Sequence, residues 1–199
     1  NGRGGAAFPT AIKMQTVFDQ ESKTKYVACN ADEGDGGTFS DRLMIECDPY
    51  SLIEGMTIAA YSVGASYGYI YLRSEYPLAK YFLTEAIQNL KSKNLLGKNI
   101  LGKNFTFDIE LRIGAGSYVC GEETAMMESI EGKRGLVRSK PPLPAIKGLF
   151  NQPTLINNVI TLASISTILF RGQDVFSQFG SGKSVGTMPY QLCGNIKRG

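Results

Sequence analysis

Three glycine-bearing stretches and one proline-stiffened basic loop carry the residue types that can hold a phosphate, a flat ring or a ring edge. The first stretch, residues 2–10, reads Gly-Arg-Gly-Gly-Ala-Ala-Phe-Pro-Thr. Glycines at this spacing let backbone N–H groups approach an anion or a ring without a Cβ in the way. Lys13 follows one helical turn later and can pair with a phosphate. Read more plainly, the run is a flexible loop at a chain end. The second stretch, residues 30–42, reads Asn-Ala-Asp-Glu-Gly-Asp-Gly-Gly-Thr-Phe-Ser-Asp-Arg and directly follows an apolar, β-leaning run at 25–31. In an open α/β sheet, the loop leaving a strand's C-terminal end is where ligands bind. Several carboxylates and an amide at such a place suit a partner rich in donors, such as a flavin edge, a ribose or a carboxamide. A solvated acidic turn is the plain alternative.

The third stretch, residues 114–124, reads Gly-Ala-Gly-Ser-Tyr-Val-Cys-Gly-Glu-Glu-Thr, again after a strand and at a helix start. Glycines beside a helix N-terminus form a cradle for an anion or ring edge. Glu122 and Glu123 also suit a helix's first turn for purely dipolar reasons. The spacing is not G-x-G-x-x-G, so this is not the usual dinucleotide fingerprint. The basic loop, Arg138-Ser-Lys-Pro-Pro-Leu-Pro144, holds Lys140 where it can close over a diphosphate, or else is a rigid surface loop. Gly180-Ser-Gly-Lys-Ser184 has the flavour of a phosphate loop, but Ser177 stands where that motif needs glycine and no strand precedes it.

These loops need elements to position them. Asp48-Pro49 predicts a helix start, with Asp48 as N-cap and Pro49 in the first turn, stopping near Gly64. Residues 67–73 and 107–113 read as strands, and 77–91 as an amphipathic helix. A further helix is expected from about 121–123 to before Gly132, a loop over 133–153, a helix over 154–170 and a helical turn over 174–179. Strands alternating with helices predict an α/β domain with a mostly parallel sheet. Residues 180–187 read as a linker, and 188–199 as the first strand of something further.

Composition narrows the chemistry. The chain has 199 residues, 43% of them hydrophobic, and a formal charge of +3. That charge is too mild for a nucleic-acid partner, and no basic run supports one. The longest apolar stretch, 159–170, is short of the roughly 18–20 residues a membrane span needs. No signal peptide is visible, but the chain opens inside the first glycine motif, which predicts a longer parent. None of the four cysteines (Cys29, Cys47, Cys120, Cys193) forms a C-x-x-C pair, so no self-sufficient metal or cluster site is expected in this segment. Their spacing and apolar neighbours predict buried, reduced thiols. There is no histidine, which excludes triads and metal sites built on it.

Taken together and in order, the strings GRGGAAFPT, CNADEGDGGTFSDR, DPYSLIEGM, GAGSYVCGEETAMMESIEGKRG, KPPLPA and PTLINNV resemble one family over essentially the whole chain. It is the 51-kilodalton NADH-binding flavoprotein subunit of respiratory complex I, with its relatives in NAD-reducing hydrogenases and NAD-dependent formate dehydrogenases. GDGGTFSDR and SEYPLA look nearer to the formate dehydrogenase and hydrogenase type. The resemblance implies a Rossmann-like FMN- and NADH-binding domain over residues 1–179, a linker, and the start of a β-grasp domain at 188–199.

By matching motif, the implied FMN contacts are Gly2, Gly4, Lys13, Asn30, Asp32, Gly121, Glu122, Asn157 and Asn158, with Tyr118 in the pocket wall. The implied NADH contacts are Phe8 against adenine, then Asp35, Glu123 and Lys140, with Asp35 and Glu123 positioning rather than acting as acid or base. Hydride transfer from nicotinamide to flavin needs stacking within about 3–3.5 Å and no side-chain base. The family also implies a [4Fe–4S] cluster beyond this segment, a thioredoxin-like [2Fe–2S] partner subunit, a larger iron–sulfur, molybdenum or hydrogenase subunit, and a cytoplasmic setting without direct membrane contact. Departures from the pattern are Ala7 and Ala11 for glycines, Met14 for tryptophan, and Thr16 and Leu143 for phenylalanines. The last two remove aromatic contacts to adenine, each worth roughly 0.5–1.5 kcal/mol. They keep open a second reading, a flavin- or nucleotide-binding module without efficient turnover.

Overall fold

The computed structural model describes residues 1–182 and 184–197. Its centre is strand β1 (Tyr26–Ala31), an apolar run buried at Val27, Ala28, Cys29 and Ala31. Continuous burial of this kind is what a parallel strand covered on both faces requires. β1 pairs in parallel with β2 (Tyr67–Leu72) on one side and with β4 (Thr154–Asn158) on the other, and β3 (Asp108–Ile113) joins β2, giving the order β3-β2-β1-β4. The chain therefore grows outward from β1 to β3 and then returns to the far side of β1. The place where that direction reverses, between β1 and β4, is the topological switch point at which open α/β sheets bind ligands.

One face of the sheet (Val27, Cys29, Ile70, Leu72, Leu155) packs into the main core with residues of five helices. These are α1 (Thr10–Phe18), α2 (Ser40–Cys47), α3 (Pro49–Val63), α4 (Pro77–Ser92) and α6 (Val159–Arg171). The other face (Ala28, Tyr71, Ile156) packs on α5 (Glu123–Ile130) in a smaller core with Met126, Met127 and Leu149. α3 begins as its sequence predicts: Asp48 accepts from Ser51 N–H at 3.1 Å, Pro49 fills the first turn, and Gly64 ends the helix at φ 74°. Mid-helix Gly55 serves packing. A Cβ there would lie 1.9 Å from the Leu162 carbonyl oxygen of α6.

Several sequence expectations change. The helix expected over 154–170 is strand β4 followed by α6. Its first five residues, Thr-Leu-Ile-Asn-Asn, pair with β1, and a buried parallel strand shows no alternation to distinguish it from the apolar helix behind it. The acidic loop ends at Phe39, because Ser40–Cys47 is α2; α1 was likewise unforeseen, lacking a side-chain N-cap. Cys29 and Cys120 are buried, but Cys47 and Cys193 are exposed, so the expectation of four buried thiols is corrected.

The linker at 180–187 contains a short antiparallel pair, β5 (Gly180–Ser181) with β6 (Ser184–Val185), after the small helix α7 (Gln173–Ser177). Residues 188–197, expected as a strand, form none. A strand's backbone groups need a neighbouring strand, and none lies beside them among the described residues. Lys183 of the dismissed phosphate-loop run, and Arg198 and Gly199 of the expected strand, lie outside the described residues. No helix among the described residues is long and apolar enough to cross a membrane.

Candidate functional site

Two adjoining clefts open at the β1/β4 switch point. The first, about 460 Å³, is lined by Gly2, Gly4, Phe8, Lys13, Asn30, Gly121, Glu122, Glu123, Lys140, Leu143, Asn157 and Asn158, among others. The second, about 740 Å³, shares Gly4, Asn30, Gly121, Glu122 and Asn158 with it and adds Asp32, Glu33, Asp35, Asp41 and Tyr118. Both volumes suit a drug- or cofactor-sized ligand. Every residue singled out by sequence as a candidate contact thus lines one or both clefts.

The strand ends set the floor. Parallel register aligns Asn30 with Asn158 and Cys29 with Asn157. Asn30 is tied to both neighbouring loops: its Nδ2 donates to the Gly121 carbonyl at 2.8 Å, and its Oδ1 accepts from Asp32 N–H at 3.1 Å. One amide hydrogen and one lone pair remain for a ligand. Asn157 is buried, and its Nδ2 has no partner among the described residues. An orphaned buried donor is costly unless something fills the site and accepts from it. Its place in the first cleft fits an acceptor-bearing group such as a flavin.

The first glycine loop is held by Gly2 N–H to the Phe8 carbonyl, 2.9 Å, and by Arg3 N–H to Thr161 Oγ1, 2.8 Å. Ala7, where the family pattern has glycine, sits at φ 51°, so the substitution places a Cβ in the left-handed region. Ala11 is helical and carries no such strain. Lys13 Nζ donates to the Ile156 carbonyl at 3.1 Å, and lies 5.9 Å from the Phe8 ring centroid and 4.0 Å from Glu123 Oε2. The Thr16 hydroxyl donates to the Ile12 carbonyl of its own helix.

On the other wall, Glu122 caps α5, accepting from Thr124 N–H at 2.8 Å and Ala125 N–H at 3.0 Å. The plain dipolar reading of this glutamate is therefore real, and it coexists with a place in both clefts. Lys140 Nζ bridges Glu122 Oε1 (3.0 Å) and Glu123 Oε1 (2.6 Å). Burial pushes the Glu122 carboxyl up, but hydrogen bonds from Thr124, Ala125 and Lys140 outweigh it and hold it below its ordinary value. The loop carrying Lys140 is clamped by Arg138, whose guanidinium reaches Glu128, Glu131 (2.8 Å) and the Gly148 carbonyl (3.0 Å).

The acidic loop is folded around its own charges. The Glu33 carboxylate accepts from Ser40 Oγ, Asp41 N–H and Arg42 N–H, so it caps α2 from within the loop. Arg73, at the end of β2, lies 3.7 Å from Asp32 and also donates to the Glu33 carbonyl. Burial raises the Asp32 carboxyl, with the Arg73 guanidinium pulling the other way. At the rim, Tyr118, 71% exposed, donates its hydroxyl to Asp35 Oδ1 at 2.9 Å. Gly34 makes room for that ring, since a Cβ there would lie 3.1 Å from it.

Sequence reading marked Glu33 and Asp41 only as carboxylates of the acidic stretch, and did not single out Arg73 or Thr161. The spacing Asn158-x-x-Thr161 is a local N-cap signal that could have found the last. Arg73 meets the site only through the fold, as do the partners of Glu33 and Asp41.

A parallel sheet with paired clefts at its switch point, glycine loops on two walls and carboxylates on a third defines a nucleotide- or flavin-binding α/β protein. The family model described as the Nuo51 FMN-binding domain matches residues 1–167. The chain belongs to this family, that of the 51-kilodalton subunits of complex I and NAD-reducing hydrogenases. It is 48% identical over 197 residues to an NADH-quinone oxidoreductase subunit of Rhizobium meliloti (strain 1021), covering 99% of this chain and 47% of that protein. It is 50% identical over 196 residues to the HndC subunit of the NADP-reducing hydrogenase of Solidesulfovibrio fructosivorans, covering 98% and 40%. A crystal structure of NAD+-reducing [NiFe]-hydrogenase in the H2-reduced state superposes with a TM-score of 0.85 at 39% identity, over 93% of this chain and 31% of that one. The chain spans about half or less of the length of these relatives.

Proposed function

We propose that this chain is the FMN- and NADH-binding part of an NADH dehydrogenase (diaphorase) module. The observation that carries the reading is the convergence of two glycine loops, Lys13, Lys140 and the orphaned Asn157 amide on one switch-point cleft. Gly2, Gly4 and Gly121 give a flat group close backbone access, and Lys13 offsets phosphate charge. Asn30, Asn157 and Asn158 supply amide hydrogen bonds, while Asp32 and Glu122 face donor edges. Bound FMN supplies acceptance of a hydride from a reduced nicotinamide and onward release of its electrons. The chain's own task is to stack the two rings and exclude wrong geometries, which needs no proton shuttle.

For NADH, Phe8 offers a face for adenine, and Lys140 a cation for the diphosphate. Asp35 and Glu123 orient the nicotinamide end, and Tyr118 belongs to the flavin pocket wall. A [4Fe–4S] cluster beyond this segment would take up the electrons, and a β-grasp domain would begin near residue 188. The partners are a thioredoxin-like [2Fe–2S] subunit and a larger iron–sulfur, molybdenum or hydrogenase subunit. The motifs GDGGTFSDR and SEYPLA support a hydrogenase- or formate-dehydrogenase-type parent in a cytoplasmic setting.

Titration of the flavin-free chain with FMN, followed by anaerobic NADH, tests the reading. The expected result is quenching of flavin fluorescence on binding, then bleaching of the flavin absorbance by NADH. Binding without bleaching supports the non-turnover module that Thr16 and Leu143 motivate. A folded chain that ignores FMN overturns the proposal.

A further inference from the structure

Arg3, Thr161, Asn158 and Asp41 form one directed hydrogen-bond chain. Arg3 N–H donates to Thr161 Oγ1 at 2.8 Å, and the Thr161 hydroxyl donates to Asn158 Oδ1 at 2.9 Å. Asn158 Nδ2 donates in turn to Asp41 Oδ1 and Oδ2, at 3.0 and 3.1 Å. Every donor points toward the carboxylate, so the bonds polarise one another. Thr161 N–H also donates to Asn158 Oδ1, at 3.0 Å, which fixes the amide's orientation. Gly4 rests directly on this side chain: a Cβ there would lie 3.2 Å from Asn158 Cβ. The first glycine loop is therefore located by Asn158, and Asn158 by Asp41.

Asp41 is 7% exposed and comes from the first turn of α2. Among the described residues it has no ion-pair partner. Glu33 faces it from the acidic loop and Cys29 from β1. Arg73 after β2 is spent on Asp32 and Glu75, and Tyr76 at the start of α4 donates to Glu33. Arg42 lies over the Tyr76 ring, and the Arg3 guanidinium points to Met188. Glu54 of α3 is exposed, and β4 and α6 offer only the neutral Asn158 and Thr161.

We propose that Asp41 is a positioning residue for the flavin wall, anchoring Asn158 directly and the Gly2–Gly5 loop through Thr161, with its charge opposing an anionic ligand. The proposal rests on the FMN reading above. Burial pushes the carboxyl up to about 7, with the Glu33 charge adding and the Asn158 amide opposing. The anchor therefore acquires its charge near neutral pH.

The test compares the full chain with Asp41→Ala and Asp41→Asn, by FMN fluorescence titration at pH 6 and 8 and by thermal melting without flavin. Asp41→Ala strands the Asn158 donor and should bind FMN about tenfold more weakly at pH 6, the cost of one buried unsatisfied donor, and only about threefold more weakly at pH 8, where it also lacks the opposing charge. Asp41→Asn keeps an acceptor for Asn158 and should stay within about twofold of wild type at pH 6. At pH 8 it should bind about threefold or more tightly than wild type, which has become charged there. Ionisation of free FMN is common to both proteins and cancels in their ratio.

A raised folded-state value means a stabilising contribution fully present below the unfolded carboxyl range, about 3.9, and lost as pH rises through about 7. The flavin-free wild type should thus melt progressively lower between about pH 5 and 8, and Asp41→Asn along a flatter curve. FMN affinity of Asp41→Ala equal to wild type at pH 6, or parallel pH profiles for Asp41→Asn and wild type, would overturn the proposal. If Asp41→Ala does not fold, the Asp41→Asn profiles decide. A wild type that takes up no FMN overturns the parent reading instead, and the melting curves still test Asp41.

Discussion

Lys140 shows how a single residue is placed before any ligand arrives. Its ammonium sits between Glu122 and Glu123, and partial burial, which lowers its proton affinity, is outweighed by the hydrogen bonds to those carboxylates, so it stays charged. A diphosphate approaching the first cleft meets a cation already oriented, though partly neutralised. Replacing Lys140 with Ala should weaken NADH binding about tenfold, the scale of one charge-assisted hydrogen bond. FMN affinity should fall less, by about threefold at most, because Lys140 touches only Glu122 among the implied FMN contacts. Paired titrations of the two ligands check this; equal losses for both would remove Lys140 from a diphosphate role. The sequence marked Lys140, Glu122 and Glu123 from their motifs. It could not show that they contact one another, because the pairing spans a proline loop and a helix start.

At the scale of elements, α3 and α6 cross where Gly55 leaves no room for a side chain. This crossing supports β4, whose last residue begins α6, and so holds Asn157 and Asn158 in the cleft. Ala normally stabilises a helix interior by about 1 kcal/mol over Gly. Here the sign should reverse. Gly55→Ala should cost about 3 kcal/mol or more, since a Cβ would meet backbone that cannot give way easily. Urea denaturation measures this, and a stabilised variant would show that the helices part freely. The helix start at Asp48-Pro49 was legible because capping is local. The β4–α6 boundary was not, because Leu155, Ile156 and Val159 are equally apolar in strand and helix, and only pairing with β1 separates them.

For the molecule as a whole, the sheet's two faces are unequally covered. Five helices contribute to the core on one side, and α5 with the 133–153 loop covers part of the other. Arg138 joins that loop to α5, and its partner Glu131 is only 5% exposed at the side chain. Arg138→Met leaves Glu131 with Lys133 and the Phe150 N–H but without the guanidinium, and should cost about 1.5 kcal/mol, the scale of one charge-assisted hydrogen bond. Trypsin should then cut the 133–153 loop faster than in wild type. An unchanged cleavage rate would mean that the prolines alone hold the loop.

The sequence alone determined the class of fold, the glycine loops, the acidic run and the capped start of α3. These are local properties: periodicity, capping and the absence of a Cβ act within a few residues. Tertiary structure decided the rest. It put β4 beside β1 and so made a switch point, left Asn157 Nδ2 without a partner among the described residues, and ran a hydrogen-bond chain from Arg3 to Asp41. The β1–β4 pairing and the Arg3–Thr161 and Asn158–Asp41 bonds each join residues more than a hundred positions apart. Packing and buried hydrogen bonding select such partners only after the chain has closed on itself.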